Sequence, residues 1–208
     1  MRSSIHPCAR LLAFFARRIS RAHVRWIDRP AAPRPTVYFA NHSSHLDFVV
    51  LWAALPRPIR ILTRPVAAEE YWRSTALRSY VATRIFRSLL VPRGDVAALA
   101  GRAILAPLLA QLDRGGSLIL FPEGTRGDGA EVAGFKSGLY QLCRERPQVE
   151  AVPVYLENLH RVLPKGQVVP LPRGSRVTFG RPLRLDAGER NREFLARARD
   201  ALLELRHR

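Results

Sequence analysis

Val37-Tyr38-Phe39-Ala40-Asn41-His42-Ser43-Ser44-His45-Leu46-Asp47 is the stretch on which the reading of this chain turns, and Phe48 to Leu55 completes it. Val, Tyr and Phe in a short run favour a buried strand. The polar residues from Asn41 to Asp47 interrupt it, and the apolar run that follows reads as a helix entered through that polar turn. Working outward, the same kind of short apolar run recurs at Ile59–Leu62, Leu89–Val91, Leu118–Phe121, Val152–Tyr155 and Val177–Phe179. Helical stretches separate several of them. The clearest covers residues 96–113, with Asp95 as its N-cap and Gly115-Gly116 beyond its end. Pro107 is expected to kink or divide it. Residues 189–206 are amphipathic, with Phe194, Leu195, Ala198, Leu202 and Leu205 on one side. Short apolar strands alternating with helices imply an α/β chain, one domain with a mostly parallel central sheet flanked by helices.

The composition fits such a core. Of 208 residues, 47% are hydrophobic and 25% charged, which suits a globular chain and excludes a disordered one. The two cysteines, Cys8 and Cys143, build neither a disulfide framework nor a Cys-rich zinc site, so a reducing compartment is the simpler expectation. The formal net charge is +17, and lysine occurs only at Lys136 and Lys165, so nearly all of the positive charge is arginine. Such an excess calls for a partner or a tolerance, and a nucleic acid, an anionic membrane surface or an acidic protein could each serve as the partner.

No segment reaches the roughly 20 apolar residues of a bilayer-spanning helix. Phe48–Leu55 is too short, and Arg102 interrupts the stretch from Val96 to Leu112. The apolar run Leu11–Ala16 resembles a short signal-peptide core, but Arg17-Arg18 stand where a small-residue cleavage site belongs, so export is not expected. Residues 10–27 mix Leu, Phe, Ile and Trp with five arginines at three- and four-residue steps, the pattern of an amphipathic helix. It can lie in a lipid interface or pack on the domain's own core. Pro30 to Pro35 end it, which divides the chain into a helical segment, residues 1–29, and a domain, residues 30–208.

Two motifs carry chemistry. In the first, His42 and Asp47 stand five residues apart, a poor spacing on one straight helical face but one that a strand-to-helix turn can close. An imidazole titrates near neutral pH and can take a proton from a hydroxyl, and a carboxylate on its other nitrogen would hold the required tautomer. His45 competes for the role, but two residues from Asp47 it falls on another side of a helix. The alternative is a cap or a surface pair. The second motif is Phe121-Pro122-Glu123-Gly124-Thr125-Arg126, at the end of the Leu118–Phe121 strand, where ligands of parallel sheets bind. Gly124 would admit a close backbone approach, and Arg126 offers a bidentate fork for phosphate. Lys136, a compact ammonium in an arginine-dominated chain, is a second candidate phosphate contact.

Together these motifs resemble the glycerolipid acyltransferase family, whose bacterial members include 1-acylglycerol-3-phosphate acyltransferases. The family's N-H-x-S-x-x-D is matched by Asn41, His42, Ser44 and Asp47, and its F-P-E-G-T-R by Phe121 to Arg126. An intervening arginine motif is most similar to Val91-Pro92-Arg93, without the glycine that often precedes it. A later V-P-V matches Val152-Pro153-Val154, and Gly127 stands where a serine commonly follows the E-G-T-R run. All four occur in family order over about residues 36–156.

The resemblance implies a glycerol-phosphate acyltransferase-like fold preceded by an amphipathic helix. It implies transfer of a fatty acyl group from acyl-CoA or acyl-carrier protein to the free hydroxyl of a lysophospholipid such as 1-acylglycerol-3-phosphate, giving phosphatidate. His42 would be the general base, oriented by Asp47. Arg93, Glu123, Gly124, Thr125 and Arg126 match positions that bind the acceptor's glycerol-phosphate end. No cofactor or metal is implied, and no G-x-S-x-G elbow is present for an acyl-enzyme on serine. With only 41 residues ahead of His42, a longer anchor seen in some relatives would be reduced to one amphipathic helix. A thioesterase would leave the arginines without a purpose. A nucleic-acid-binding module would explain the charge but shows no helix-turn-helix, zinc-finger or aromatic RNA-binding signature. The charge is also concentrated, with seven arginines against Asp28 in residues 1–29 and eight against Glu69 and Glu70 in residues 57–93. That distribution favours an anionic membrane surface over nucleic acid, and a peripheral position on the cytoplasmic face of the inner membrane.

Overall fold

A computed structural model describes residues 6–44, 46–92, 101–162, 171 and 174–207. Its centre is strand β2 (Thr36–Ala40), buried at all five positions, as expected for a strand covered on both faces. Around it lies a seven-stranded sheet made with β1 (His23–Trp26), β3 (Thr63–Ala68), β4 (Leu89–Val91), β5 (Ser117–Leu120), β6 (Glu150–Glu157) and β7 (Arg176–Phe179). The order is β1-β7-β6-β2-β5-β3-β4. The five strands from β6 to β4 run parallel, and β7 turns against β6 while β1 runs with β7. The expected mostly parallel α/β sheet is therefore the observed one.

Pro153 shapes the antiparallel junction. It has no N–H to give, and ladder pairing between β6 and β7 covers only Val154 to Glu157. The chain swings past the proline at Gly180, whose N–H is donated to the Pro153 carbonyl at 2.8 Å, and pairs again where Leu183 meets Ala151.

Helices close both faces. On one face, α1 (Pro7–Ser20), α2 (Asp47–Ala54) and the turn around Ile85 and Phe86 share a core with Tyr38, Ile119, Val154 and Phe179. On the other, α6 (Gly101–Asp113), α7 (Gly138–Glu145) and α9 (Asn191–Leu203) pack over Val37, Phe39, Leu118 and Ala151. Four short helices, α3 (Arg57–Arg60), α4 (Glu69–Trp72), α5 (Ala76–Tyr80) and α8 (Leu159–Val162), fill the connections.

Three local expectations change. The helix expected over residues 10–27 ends at Ser20, because Arg21 adopts a left-handed conformation with φ 44°. The remainder becomes edge strand β1, where Trp26 stacks on Phe179 with ring centroids 3.8 Å apart. Ile59–Leu62 is not a strand. Pro58 stands in the first turn of α3, a position that suits proline, and β3 begins only at Thr63. Pro107 does not divide α6: Leu105, Leu108 and Leu112 on the same helix are buried, and that burial offsets the hydrogen bond the proline forfeits. Asp95 lies outside the described residues.

Candidate active site

The loops that matter leave the carboxyl ends of β2, β3, β4 and β5. β2 is terminated by Asn41, whose side chain forms a two-way amide clamp on neighbouring β6. It donates to the Leu156 carbonyl at 2.9 Å and accepts the Leu156 N–H at 2.7 Å. The next residue, His42, is held at both ends of its backbone. Its N–H is donated to Glu123 Oε1 at 2.7 Å, and its carbonyl accepts the Gly127 N–H at 2.8 Å.

The chain then turns into α2, and Asp47 is that helix's first residue. Its Oδ2 lies 2.8 Å from His42 Nδ1 and accepts the N–H groups of Ser43 at 2.6 Å and Ser44 at 2.8 Å. Asp47 is completely buried, and a carboxylate there is also favoured by the amino end of the helix. With Nδ1 turned to the carboxylate, Nε2 is the nitrogen left with a free lone pair. The His42 side chain remains 22% exposed and stacks on Phe121, centroids 4.2 Å apart.

His42 stands on the wall of a cleft of about 210 Å³. Phe48, Val66, Tyr71, Trp72, Leu120 and Leu139 give the cleft apolar walls, whereas Gly124, Thr125, Arg126 and Lys136 supply a polar, cationic side. Gly124 has φ +73°, and a Cβ placed on it would meet Lys136 Cε at 2.8 Å and Nζ at 3.0 Å. Only glycine both adopts this turn without strain and lets the lysine stem lie across it. The Lys136 N–H is donated to the Pro122 carbonyl at 2.8 Å, which ties the two segments together. Arg126 faces the Tyr71 ring at 6.0 Å. An imidazole and two cations thus share one apolar-walled cleft, an arrangement able to activate a hydroxyl on an amphiphile whose other end is anionic. Among the described residues no three His, Cys, Asp or Glu side chains come together as a metal site.

The sequence model of one protein family, Acyltransferase, matches residues 18–157. The chain belongs to that family. A 1-acyl-sn-glycerol-3-phosphate acyltransferase of Chlamydomonas reinhardtii is 29% identical over 66% of this chain and 39% of its own length. A taffazin of Dictyostelium discoideum is 30% identical over 67% of this chain and 50% of its own. The chain therefore spans half or less of the length of these curated relatives. In fold it is similar to the 1-acyl-sn-glycerophosphate acyltransferase PlsC of Thermotoga maritima, with a TM-score of 0.68 over 96% of this chain and 80% of that one, at 20% identity.

In this member of the Acyltransferase family, the structure brings His42, Gly124, Thr125, Arg126 and Lys136 around one cleft, with Asp47 buried behind His42. Val91 and Pro92 also line it, and Arg93, which follows them, lies outside the described residues, as does His45. Glu123 is placed differently from the expectation that it binds the acceptor. It is buried and does not line the cleft, and both its oxygens accept backbone N–H groups, Oε1 from His42 and Oε2 from Ala133 at 2.8 Å. Burial raises its pKa, and those two hydrogen bonds oppose the rise. Its contacts make it a positioning residue for the His42 backbone. Tyr71 and Trp72 also line the cleft, and their signal in the sequence is no more than a pair of aromatics following Glu69-Glu70.

Glu123→Gln is expected to lower stability by about 1–3 kcal/mol, because an amide nitrogen cannot accept the second N–H. kcat should fall roughly tenfold as the His42 backbone loosens. The pH dependence follows from the raised pKa. Its stabilising contribution is largest below the unfolded value of 4.5 and is lost as pH rises through the folded value. The stability gap between wild type and variant should therefore narrow from acid to neutral pH, which chemical denaturation at several pH values measures.

Proposed function

We propose that the chain transfers a fatty acyl group from acyl-CoA or acyl-carrier protein to the free hydroxyl of a lysophospholipid, with 1-acylglycerol-3-phosphate giving phosphatidate. The observation that carries this reading is the His42–Asp47 pair in the same apolar-walled cleft as Arg126 and Lys136. His42 Nε2 takes the acceptor's hydroxyl proton while Asp47 stabilises the imidazolium formed. The oxygen attacks the thioester carbonyl, the carbon–sulfur bond breaks, and the departing thiolate recovers the proton from His42. Arg126 and Lys136 hold the phosphate, with the Gly124-Thr125 backbone close beside it. The acyl chains lie against the Phe48, Val66 and Leu139 side of the cleft. Relatives named as 1-acyl-sn-glycerol-3-phosphate acyltransferases support the same choice of acceptor.

The membrane surface enters through α1. Its small residues Ala9, Ala13 and Ala16 are buried against α2, which leaves the large ones outside: Leu11 is 57% exposed, Phe14 54% and Phe15 51%. Arg10, Arg17 and Arg18 accompany them, the pattern of a helix lying in an anionic interface. No helix among the described residues is long and apolar enough to cross a membrane. A peripheral position on the cytoplasmic face of the inner membrane follows from this reading. Phe14→Glu/Phe15→Glu is expected to reduce co-sedimentation with vesicles containing phosphatidylglycerol by roughly tenfold or more, at unchanged melting temperature.

The deciding experiment incubates the purified protein with lysophosphatidate and acyl-CoA or acyl-carrier protein and follows products by mass spectrometry. Phosphatidate is expected. Free fatty acid released at the same rate with and without acceptor would replace this reading with a thioesterase.

A further inference from the structure

A second segment beside the cleft is built like α1 but is not part of it. Every residue from Arg73 to Arg78 is exposed, and within α5 Leu77 is 73% and Tyr80 51% exposed. One leucine on a surface means nothing. Here, however, the two apolar side chains stand three residues apart on one short helix. That helix is anchored at its start by the Thr75 hydroxyl, which accepts the Arg78 N–H at 3.3 Å. It runs on into the π-turn Val81–Ile85, and Ala82, Ile85 and Phe86 there are buried. The inner side is thus fixed in the core while Leu77 and Tyr80 are held in solvent.

The surroundings are cationic. Arg78 and Arg84 are exposed next to these residues, and no acidic residue occurs between Glu70 and Asp95 in the sequence. The same layer of the fold carries α1, since Ala9, Ala13 and Ala16 share one core with Ile85 and Phe86. Tyr71 and Trp72, immediately ahead of the segment, line the cleft. The Arg78 guanidinium lies 4.6 Å from the Tyr71 ring, and Arg126 faces the same ring. Cationic groups therefore run from this outer surface to the proposed phosphate side of the cleft.

We infer that residues 73–84 form a second bilayer contact, in which Leu77 and Tyr80 enter the interface of an anionic membrane and Arg78 and Arg84 meet its headgroups. This rests on the acyltransferase reading of the cleft, whose acceptor resides in a membrane. Apolar tips flanked by Arg78 and Arg84, with Glu69 taken up in an ion pair with Arg73 at 2.7 Å, are complementary to anionic lipid. The contact places the Tyr71 side of the cleft against the lipid, so a lysophospholipid passes from bilayer to Arg126 along cationic groups without entering water.

The test is co-sedimentation of the full chain, without substrates, on phosphatidylcholine vesicles with and without phosphatidylglycerol. Leu77→Glu/Tyr80→Glu is compared with wild type, and Leu77→Ser/Tyr80→Ser serves as the pair gentler on folding. Both pairs are expected to lower partition onto the anionic vesicles roughly tenfold or more, with the melting temperature unchanged. Turnover of a dispersed short-chain lysophosphatidate should also be unchanged. Wild-type partition by both pairs would overturn the contact. So would vesicle binding that is retained while binding to acyl-carrier protein, or self-association, is lost, because the face would then belong to a protein. Because partition is read without turnover, a chain that shows the loss yet makes no phosphatidate keeps the lipid contact and refutes only the acyl-transfer reading.

Discussion

His42→Ala is expected to lower kcat by about 10³-fold or more, near the upper end of what a positioned general base contributes. Asp47 cannot take its place, because it is buried beneath the imidazole and does not line the cleft. Arg126 and Lys136 are untouched by the change, so the KM for lysophosphatidate should stay within a few-fold of wild type. The backbone of residue 42 keeps its two hydrogen bonds, to Glu123 and from Gly127, because neither uses the side chain. The melting temperature should nevertheless fall, because the variant loses both the stack on Phe121 and the Nδ1 hydrogen bond to the buried Asp47 carboxylate. Stopped-flow release of CoA under single-turnover conditions measures the chemical step directly. A variant within tenfold of wild type in that step would remove His42 from the mechanism.

Asp47→Asn is expected to cost about 10³-fold in kcat for a different reason. In the wild type, one oxygen, Oδ2, serves His42 Nδ1 and the N–H groups of Ser43 and Ser44 together. An asparagine can present its oxygen to the two backbone donors and keep the turn, but it carries no charge to stabilise an imidazolium. If its amide nitrogen faces Nδ1 instead, that nitrogen must accept, and Nε2 carries the hydrogen on the side where the base is needed. Either orientation spares the acceptor site, so kcat should fall with little change in KM. Because Asp47 acts through His42, the double variant is expected to be no slower than His42→Ala alone. Multiplying effects would show that Asp47 acts on substrate independently.

The His42–Asp47 pairing was legible because it is local. A strand, a short polar turn and a helix entrance bring residues five apart together, and this is decided within one stretch of chain. The place of Gly124 and Arg126 on the cleft was legible for a related reason, since they follow directly on the carboxyl end of a parallel strand. Glu123 was not. Its neighbours in sequence face the cleft, and the buried N–H groups of His42 and Ala133 turn it inward. Strand β1 was hidden because Val24 and Trp26 fit a helix and a strand equally, and the partner that settles the matter, Arg176–Phe179, is far along the chain.

Charge, strand spacing and the two motifs are properties of the sequence alone. From them come the α/β class, the pairing of an imidazole with a carboxylate, and the expectation of an anionic partner, because each depends on residue type and short-range periodicity. Which face of α1 is buried is not such a property. That helix offers an alanine side and a Leu/Phe side, and its close packing on α2 admits only the small one. Tertiary packing likewise holds Leu77 and Tyr80 outward and draws Tyr71 and Trp72 into the cleft wall, because burial is a property of the assembled core and not of any residue in isolation.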